Sequence, residues 1–212
     1  MTCIELPPNF QADLVIHIID NEPSVRASCK FLIESLGFCA VSWESAVEFL
    51  AKVDIFMPAV VLSDLMLPIM SGQELQAHLN EKGSPIALIA LTGNGEIDDA
   101  VAMLKKGAAD YLQKPVSHQK LSAAIDRAQA LTQERTKIYY IQKLYEQLTD
   151  KEKQVANELL QGNLNKIIAD HLDISIRTVE VHRAQVMKKM QSQHVSELIQ
   201  KLAMLESQSK LV

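Results

Sequence analysis

Apolar residues fall in two rhythms along this chain. In the first, solid apolar runs alternate with stretches whose apolar positions return every three or four residues. Residues 14–19 read Leu-Val-Ile-His-Ile-Ile and predict a buried strand. Residues 39–43, 60–63, 86–91 and 110–113 predict four more. Between them, residues 23–36, 45–51, 71–80 and 96–106 predict helices, and another starts after Pro115. Pro23 suits a first helical turn and Ser45 suits an N-cap. Buried strands alternating with helices imply βαβ units, hence a doubly wound, five-stranded parallel sheet covered on both faces. In such sheets function gathers beyond the carboxyl ends of the strands.

The second rhythm is purely helical. No Gly or Pro interrupts residues 117–148, where Leu121, Ile125, Ala128, Leu131, Ile138, Ile141, Leu144 and Leu148 recur at helical spacing. Two readings stay open. The helix packs on its own domain and continues as a linker, or its outer half pairs with a second copy as a short coiled coil. Residues 149–160, 165–172, 175–190 and 195–205 then predict four helices. Thr149 with Glu152 makes a capping-box pattern, and Ser175 or Thr178 caps the third helix. The chain thus divides into an N-terminal extension (1–12), an α/β domain (13–130), a helical linker (131–147) and an all-α four-helix domain (148–212).

Composition narrows the class. Hydrophobic residues make up 48% of the chain, enough for a buried core. No apolar run reaches the roughly 18 to 20 residues of a membrane span. Residues 1–13 lack a basic segment and carry Glu5 and Asp13, so they do not read as a secretory signal. Cys3, Cys29 and Cys39 have no CxxC spacing, which points to reduced thiols in the cytoplasm and to neither zinc nor disulfides. The net charge of −5 is unevenly spread. Residues 1–147 hold twelve Lys and Arg against eighteen Asp and Glu; residues 148–212 hold nine against eight. An acidic module is joined to a mildly basic one.

Four strand ends carry polar chemistry: Asp20-Asn21-Glu22, Asp64, Thr92 and Lys114-Pro115. A parallel sheet with the first strand central brings them to one edge. A carboxylate, neighbouring acids for a metal, a hydroxyl and an ammonium are what phosphoryl transfer to a carboxylate requires. The acidic pair, Asp64-x-x-x-Pro68-x-x-x-Gly72, Leu-Thr-Gly at 91–93 and Gly-Ala-Ala-Asp-Tyr-Leu-Gln-Lys-Pro at 107–115 together resemble the receiver domain of two-component signalling, with its flavodoxin/CheY-like fold. The resemblance implies that Asp64 accepts phosphate from a sensor histidine kinase. It implies that Asp20, Asn21, Asp64 and the Met66 carbonyl hold Mg²⁺. Thr92 and Lys114 would engage the phosphoryl group, Tyr111 would change rotamer with Thr92, and the Lys114–Pro115 bond would be cis. One departure stands out. The family pattern has a second acid where this chain has Asn21, which brings an oxygen but no charge. Glu22 is adjacent and is a substitute if it faces the metal.

In the C-terminal half, Ile167, Ile168 and Leu172 form one apolar face, and Val179, Val186 and Met190 form another, with a tight turn at 173–175. Helix, short turn and a more polar helix are the helix-turn-helix plan. Leu-Thr-x-x-Glu, Ile-Ala-x-x-Leu and Thr-Val-Glu-Val-His-Arg resemble the LuxR/FixJ/NarL-type domain, the FixJ-like branch in particular. Lys166, Arg177, Thr178, Lys188 and Lys189 are candidates for DNA phosphates. Glu180, Val181, Arg183 and Ala184 are candidates for base edges. His171 and His182 read as packing or phosphate-facing residues, and residues 195–205 resemble the family's dimerisation helix.

The whole reads as a cytoplasmic, phosphorylation-dependent transcription regulator. It would bind promoter DNA as a homodimer through residues 175–190 and would work with RNA polymerase. The helix at 96–106 and the last strand would form the face repacked on activation. A rival is a constitutive DNA-binding protein whose receiver only docks or dimerises, which Asn21 favours. A turnover enzyme is disfavoured: there is no P-loop, GxGxxG, GxSxG or HExxH. The only chemistry expected is self-phosphorylation from a donor and slow hydrolysis.

Overall fold

The computed structural model describes residues 14–93 and 97–209, with the backbone alone for residues 97–100, 208 and 209. The extension at 1–12, Cys3 and Glu96 lie outside the described residues. The chain forms two compact units, Met1–Thr136 and Lys137–Val212.

The first unit runs β1 (Val15–Ile19), α1 (Pro23–Ser35), β2 (Cys39–Trp43), α2 (Ala46–Lys52), β3 (Val60–Asp64), α3 (Gly72–Glu81), β4 (Ala87–Thr92), α4 (Ile97–Lys105), β5 (Asp110–Gln113) and the start of α5 (His118–Glu146). All pairings are parallel, in the order β2-β1-β3-β4-β5. Every residue of β3 and β4 is buried, which explains runs without polar alternation. One sheet face packs Ile16, Ile18, Leu62, Ile89 and Leu91 against Ile33 of α1 and Leu121, Ile125 and Ala128 of α5. The other packs Ile19, Val61 and Leu88 against Phe49, Leu75, Leu79 and Met103.

Two strands run further than their apolar runs predict. β3 ends on Asp64, paired with Leu91, and β4 ends on Thr92, paired with Gln113. The apolar pattern stops one residue early at each end, whereas the hydrogen-bonded ladder continues through the polar residue. Asp64 and Thr92 are therefore held by the sheet itself.

The long helix α5 forms as predicted, but apolar spacing misses what holds its middle. Thr132 and Thr136 are buried. The Thr132 hydroxyl donates to the Ala59 carbonyl (3.1 Å) and accepts from the Ala87 amide (3.2 Å). Arg135 donates to the carbonyls of Ile86 (2.8 Å) and Gly107 (2.7 Å). Gly107 has φ +87°, and a Cβ there would meet the Arg135 guanidinium at 3.2 Å. The Ala87 amide also donates to the Ala59 carbonyl (3.2 Å), so Thr132 adds to a backbone bond between the starts of β3 and β4, while Arg135 satisfies the Ile86 and Gly107 carbonyls. Residues 131–136 accordingly belong to the first unit.

In the second unit, Ile141, Leu144 and Leu148 join the core of α6 (Asp150–Leu160), α7 (Asn165–Leu172), α8 (Ile176–Lys189) and α9 (Val195–Ser209). Thr149 and Glu152 make the capping box at the start of α6, and Ser175, not Thr178, caps α8. Asp173 ends α7 in the left-handed conformation (φ 52°, ψ 51°), which gives the turn its sharpness.

Candidate functional site

The carboxyl ends of β1, β3 and β5 bring three predicted residues together. Lys114 Nζ lies 2.7 Å from Asp20 Oδ2 and 2.9 Å from Asp64 Oδ2. The contact to Asp64 is a hydrogen bond. The contact to Asp20 is an ion pair, and that fully buried oxygen accepts no other bond among the described residues. Burial alone would lower the Lys114 pKa, but the two carboxylates outweigh it and raise it, so the ammonium stays charged. The Lys114–Pro115 bond is cis, as the resemblance implies.

Local sequence explains the geometry. Asp20 is fixed by backbone bonds: its Oδ1 accepts from the Glu22 amide (2.9 Å), and its carbonyl accepts from Arg26 (2.6 Å). Asp64 Oδ1 accepts from the Met66 amide (3.3 Å). Gly72 is required by a close approach: a Cβ there would lie 2.5 Å from the Asp64 carbonyl oxygen. The spacing from Asp64 through Pro68 to Gly72 thus lets α3 press against the backbone of Asp64.

Thr92 is buried, and its hydroxyl donates to the Gly93 carbonyl (2.9 Å). Its own carbonyl accepts from the Lys114 amide (2.9 Å), which ties β4 to β5 beside the acids. Tyr111 is 38% exposed on β5, and Val101 and Leu104 of α4 are exposed too. Asn21 is exposed. Glu22 reaches the pocket, with Oε1 4.0 Å from Lys114 Nζ.

A magnesium ion fits these residues. Hard cations take carboxylate and carbonyl oxygens, and magnesium keeps several waters, so it needs few protein ligands. The buried carboxylate oxygen of Asp20 is of that chemical type. Among the described residues no three His, Cys, Asp or Glu side chains form a ready-made metal group, so the set rests on two acids.

The second predicted site is the outer face of α8. Arg177, Glu180, Val181, Ala184 and Lys188 are exposed at helical spacing and form one stripe. Gln185 lies exposed on the same stripe, four residues from Val181, although its residue type does not single it out. Lys166 is exposed at the start of α7. Thr178 is half-buried and shares a hydrogen bond with the Ser175 hydroxyl (2.8 Å).

Two predicted DNA contacts are engaged inside the domain. Lys189 lies 2.7 Å from Glu152, a buried carboxylate that also accepts from the Thr149 amide (2.8 Å). Arg183 is half-buried and donates to Asn165 Oδ1 of α7. His171 contacts Glu158 (3.0 Å).

Residues 16–126 match the response regulator receiver domain family, and residues 146–202 match the luxR family of bacterial regulatory proteins. The chain is 40% identical over 192 residues to the tetrathionate response regulatory protein TtrR of Salmonella typhimurium, covering 91% of this chain and 93% of that one. It is 37% identical over 191 residues to the transcriptional regulatory protein FixJ of Rhizobium meliloti, covering 88% and 94%. Among solved structures, the response regulator StyR aligns with a TM-score of 0.62 at 31% identity, covering 91% of this chain and 99% of that one. Full-length FixJ from B. japonicum aligns with a TM-score of 0.53 at 33% identity, covering 93% and 99%. A phosphoacceptor-type pocket on a five-stranded parallel sheet, followed by a helix-turn-helix, therefore has the family its sequence motifs pointed to: the chain belongs to the two-component response regulators that join a receiver domain to a LuxR-type DNA-binding domain.

Proposed function

We propose that this protein is a cytoplasmic transcription regulator switched by phosphorylation of Asp64. A sensor histidine kinase supplies the phosphoryl group: the P–N bond of its phosphohistidine breaks as a P–O bond forms to an Asp64 carboxylate oxygen. Asp20, Asp64, the Met66 carbonyl and the Asn21 amide oxygen would hold Mg²⁺. The cation supplies positive charge against the phosphoryl oxygens. Lys114 pairs with the transferred group, and Thr92 turns its hydroxyl from Gly93 toward it. Tyr111 follows, and the exposed apolar residues Val101 and Leu104 become a pairing face for a second copy. Two α8 helices then read a two-fold-related promoter site. Arg177, Lys166, Lys188 and Thr178 serve phosphates, while Glu180, Val181, Ala184 and Gln185 meet base edges. RNA polymerase would be recruited by the bound dimer.

The observation that carries this reading is the Lys114 ammonium shared between Asp20 and Asp64 at the carboxyl edge of the sheet. Light scattering and DNA binding, with and without beryllofluoride, test it. The expected result is a monomer that becomes a dimer and binds DNA at least tenfold more tightly with the phosphate mimic, and an Asp64→Asn protein that does neither. Equal mass and equal DNA affinity in both states would instead favour constitutive binding, the reading that Asn21 invites.

A further inference from the structure

We infer that Glu22 replaces the missing second acid of the cation site. The inference rests on the proposed reading of the pocket as a magnesium-dependent phosphoacceptor.

Two observations meet at this residue. Asn21, which stands where the family pattern has an acid, is exposed and neutral. Glu22 Oε1 stands 4.0 Å from the Lys114 ammonium, the same ammonium that Asp20 and Asp64 approach. Three carboxylates then face one ammonium. The excess of two negative charges matches a divalent cation, whereas Asp20 and Asp64 alone leave an excess of one. Asp20 Oδ2 is fully buried and faces the Lys114 ammonium at 2.7 Å, with no hydrogen bond of its own among the described residues.

Glu22 is also free to take this role. It is the N-cap residue of α1, but its side chain makes no capping hydrogen bond, and Pro23 supplies the first helical turn. Its side chain is 61% exposed. Fold stability does not hold its carboxylate. The three acids are not a ready-made ligand triad, so Glu22 acts on the cation through charge across the pocket mouth. At that range and exposure, one carboxylate changes the affinity for a divalent ion by about five- to tenfold.

The test titrates the full-length protein with Mn²⁺, reading the free ion by electron paramagnetic resonance, with Mg²⁺ as competitor. The wild type is expected to bind one ion, and Asp20→Asn to bind none in the same range. Glu22→Gln should bind five- to tenfold more weakly, and Asn21→Asp introduced into Glu22→Gln should restore the loss. Glu34→Gln removes the same charge from the far end of α1 and should change nothing. Unchanged affinity in Glu22→Gln, or an equal loss in Glu34→Gln, overturns the inference and leaves the phosphoacceptor reading standing. No Mn²⁺ binding by the wild type, competed by Mg²⁺, would instead sink the reading on which it rests.

Discussion

Lys114 at the end of β5 and Lys189 at the end of α8 are both partly covered, with side chains 19% and 30% exposed, and each lies 2.7 Å from a buried carboxylate. Around Lys189 the charges balance. One carboxylate faces one ammonium, and Glu152 spends its remaining capacity on the Thr149 amide. Burial would raise the Glu152 pKa, but Lys189 and Thr149 together hold it below the usual carboxylate range. Around Lys114 the charges do not balance, and one buried oxygen of Asp20 lacks a hydrogen bond among the described residues. The first arrangement closes a helix start against a helix end. The second leaves charge and lone pairs available to an incoming group. The difference between a structural ion pair and a reactive one lies in what the partners leave unsatisfied.

Acid should separate the two regions most strongly. His17 is buried against Trp43 and Phe49, and its Nδ1 accepts from the Trp43 indole (3.0 Å). Burial lowers its pKa from 6.5 to about 4. A histidine depressed on folding contributes stability that is complete above its unfolded pKa and fades as pH falls toward the folded one. The receiver should thus lose roughly 2–3 kcal/mol between pH 6.5 and 4, allowing for some solvent screening. Glu152 carries the opposite kind of group, so its contribution persists until pH falls below the ordinary carboxylate range. Urea melts followed by Trp43 fluorescence should show this slope, and His17→Gln should flatten it. A melt of the receiver that is flat across this window contradicts the assignment.

Mutation should separate them next. Glu152→Ala strands Lys189 and the Thr149 amide, and should destabilise the C-terminal domain by about 2 kcal/mol. Asp64→Asn removes a charge from a crowded pocket while Lys114 keeps Asp20, so the receiver should be unchanged or gain up to about 1 kcal/mol. Chemical denaturation of the two variants measures both. A larger loss for Asp64→Asn than for Glu152→Ala would reverse the comparison.

Much of this was legible because the family's motifs are geometric requirements. Asp64 and Gly72 came paired in the motif that carries the resemblance, and the structure supplies its reason: a Cβ at position 72 would meet the Asp64 carbonyl oxygen. The alternation of buried runs and helices pointed to the parallel sheet, and the convergence of Asp20, Asp64 and Lys114 followed once the first strand was placed inside it. What stayed hidden was polar. Apolar spacing could not find Thr132 and Arg135, because they hold α5 through backbone carbonyls rather than packing. Residue type could not tell Lys188 from Lys189: the two are adjacent and basic, but only one has a buried carboxylate within reach. Likewise Arg183, a candidate for a base edge, donates to Asn165, a partner eighteen positions away that its own helix pattern does not reveal. The face to which a long polar side chain turns depends on a partner that local pattern does not contain.

The most direct test is intact-protein mass spectrometry after incubation with acetyl phosphate and Mg²⁺. One phosphoryl adduct is expected on the wild type and on Lys189→Met, and none on Asp64→Asn. An adduct that survives in Asp64→Asn, or its absence from the wild type, would contradict the assignment of the β1–β3–β5 pocket as the phosphoacceptor site.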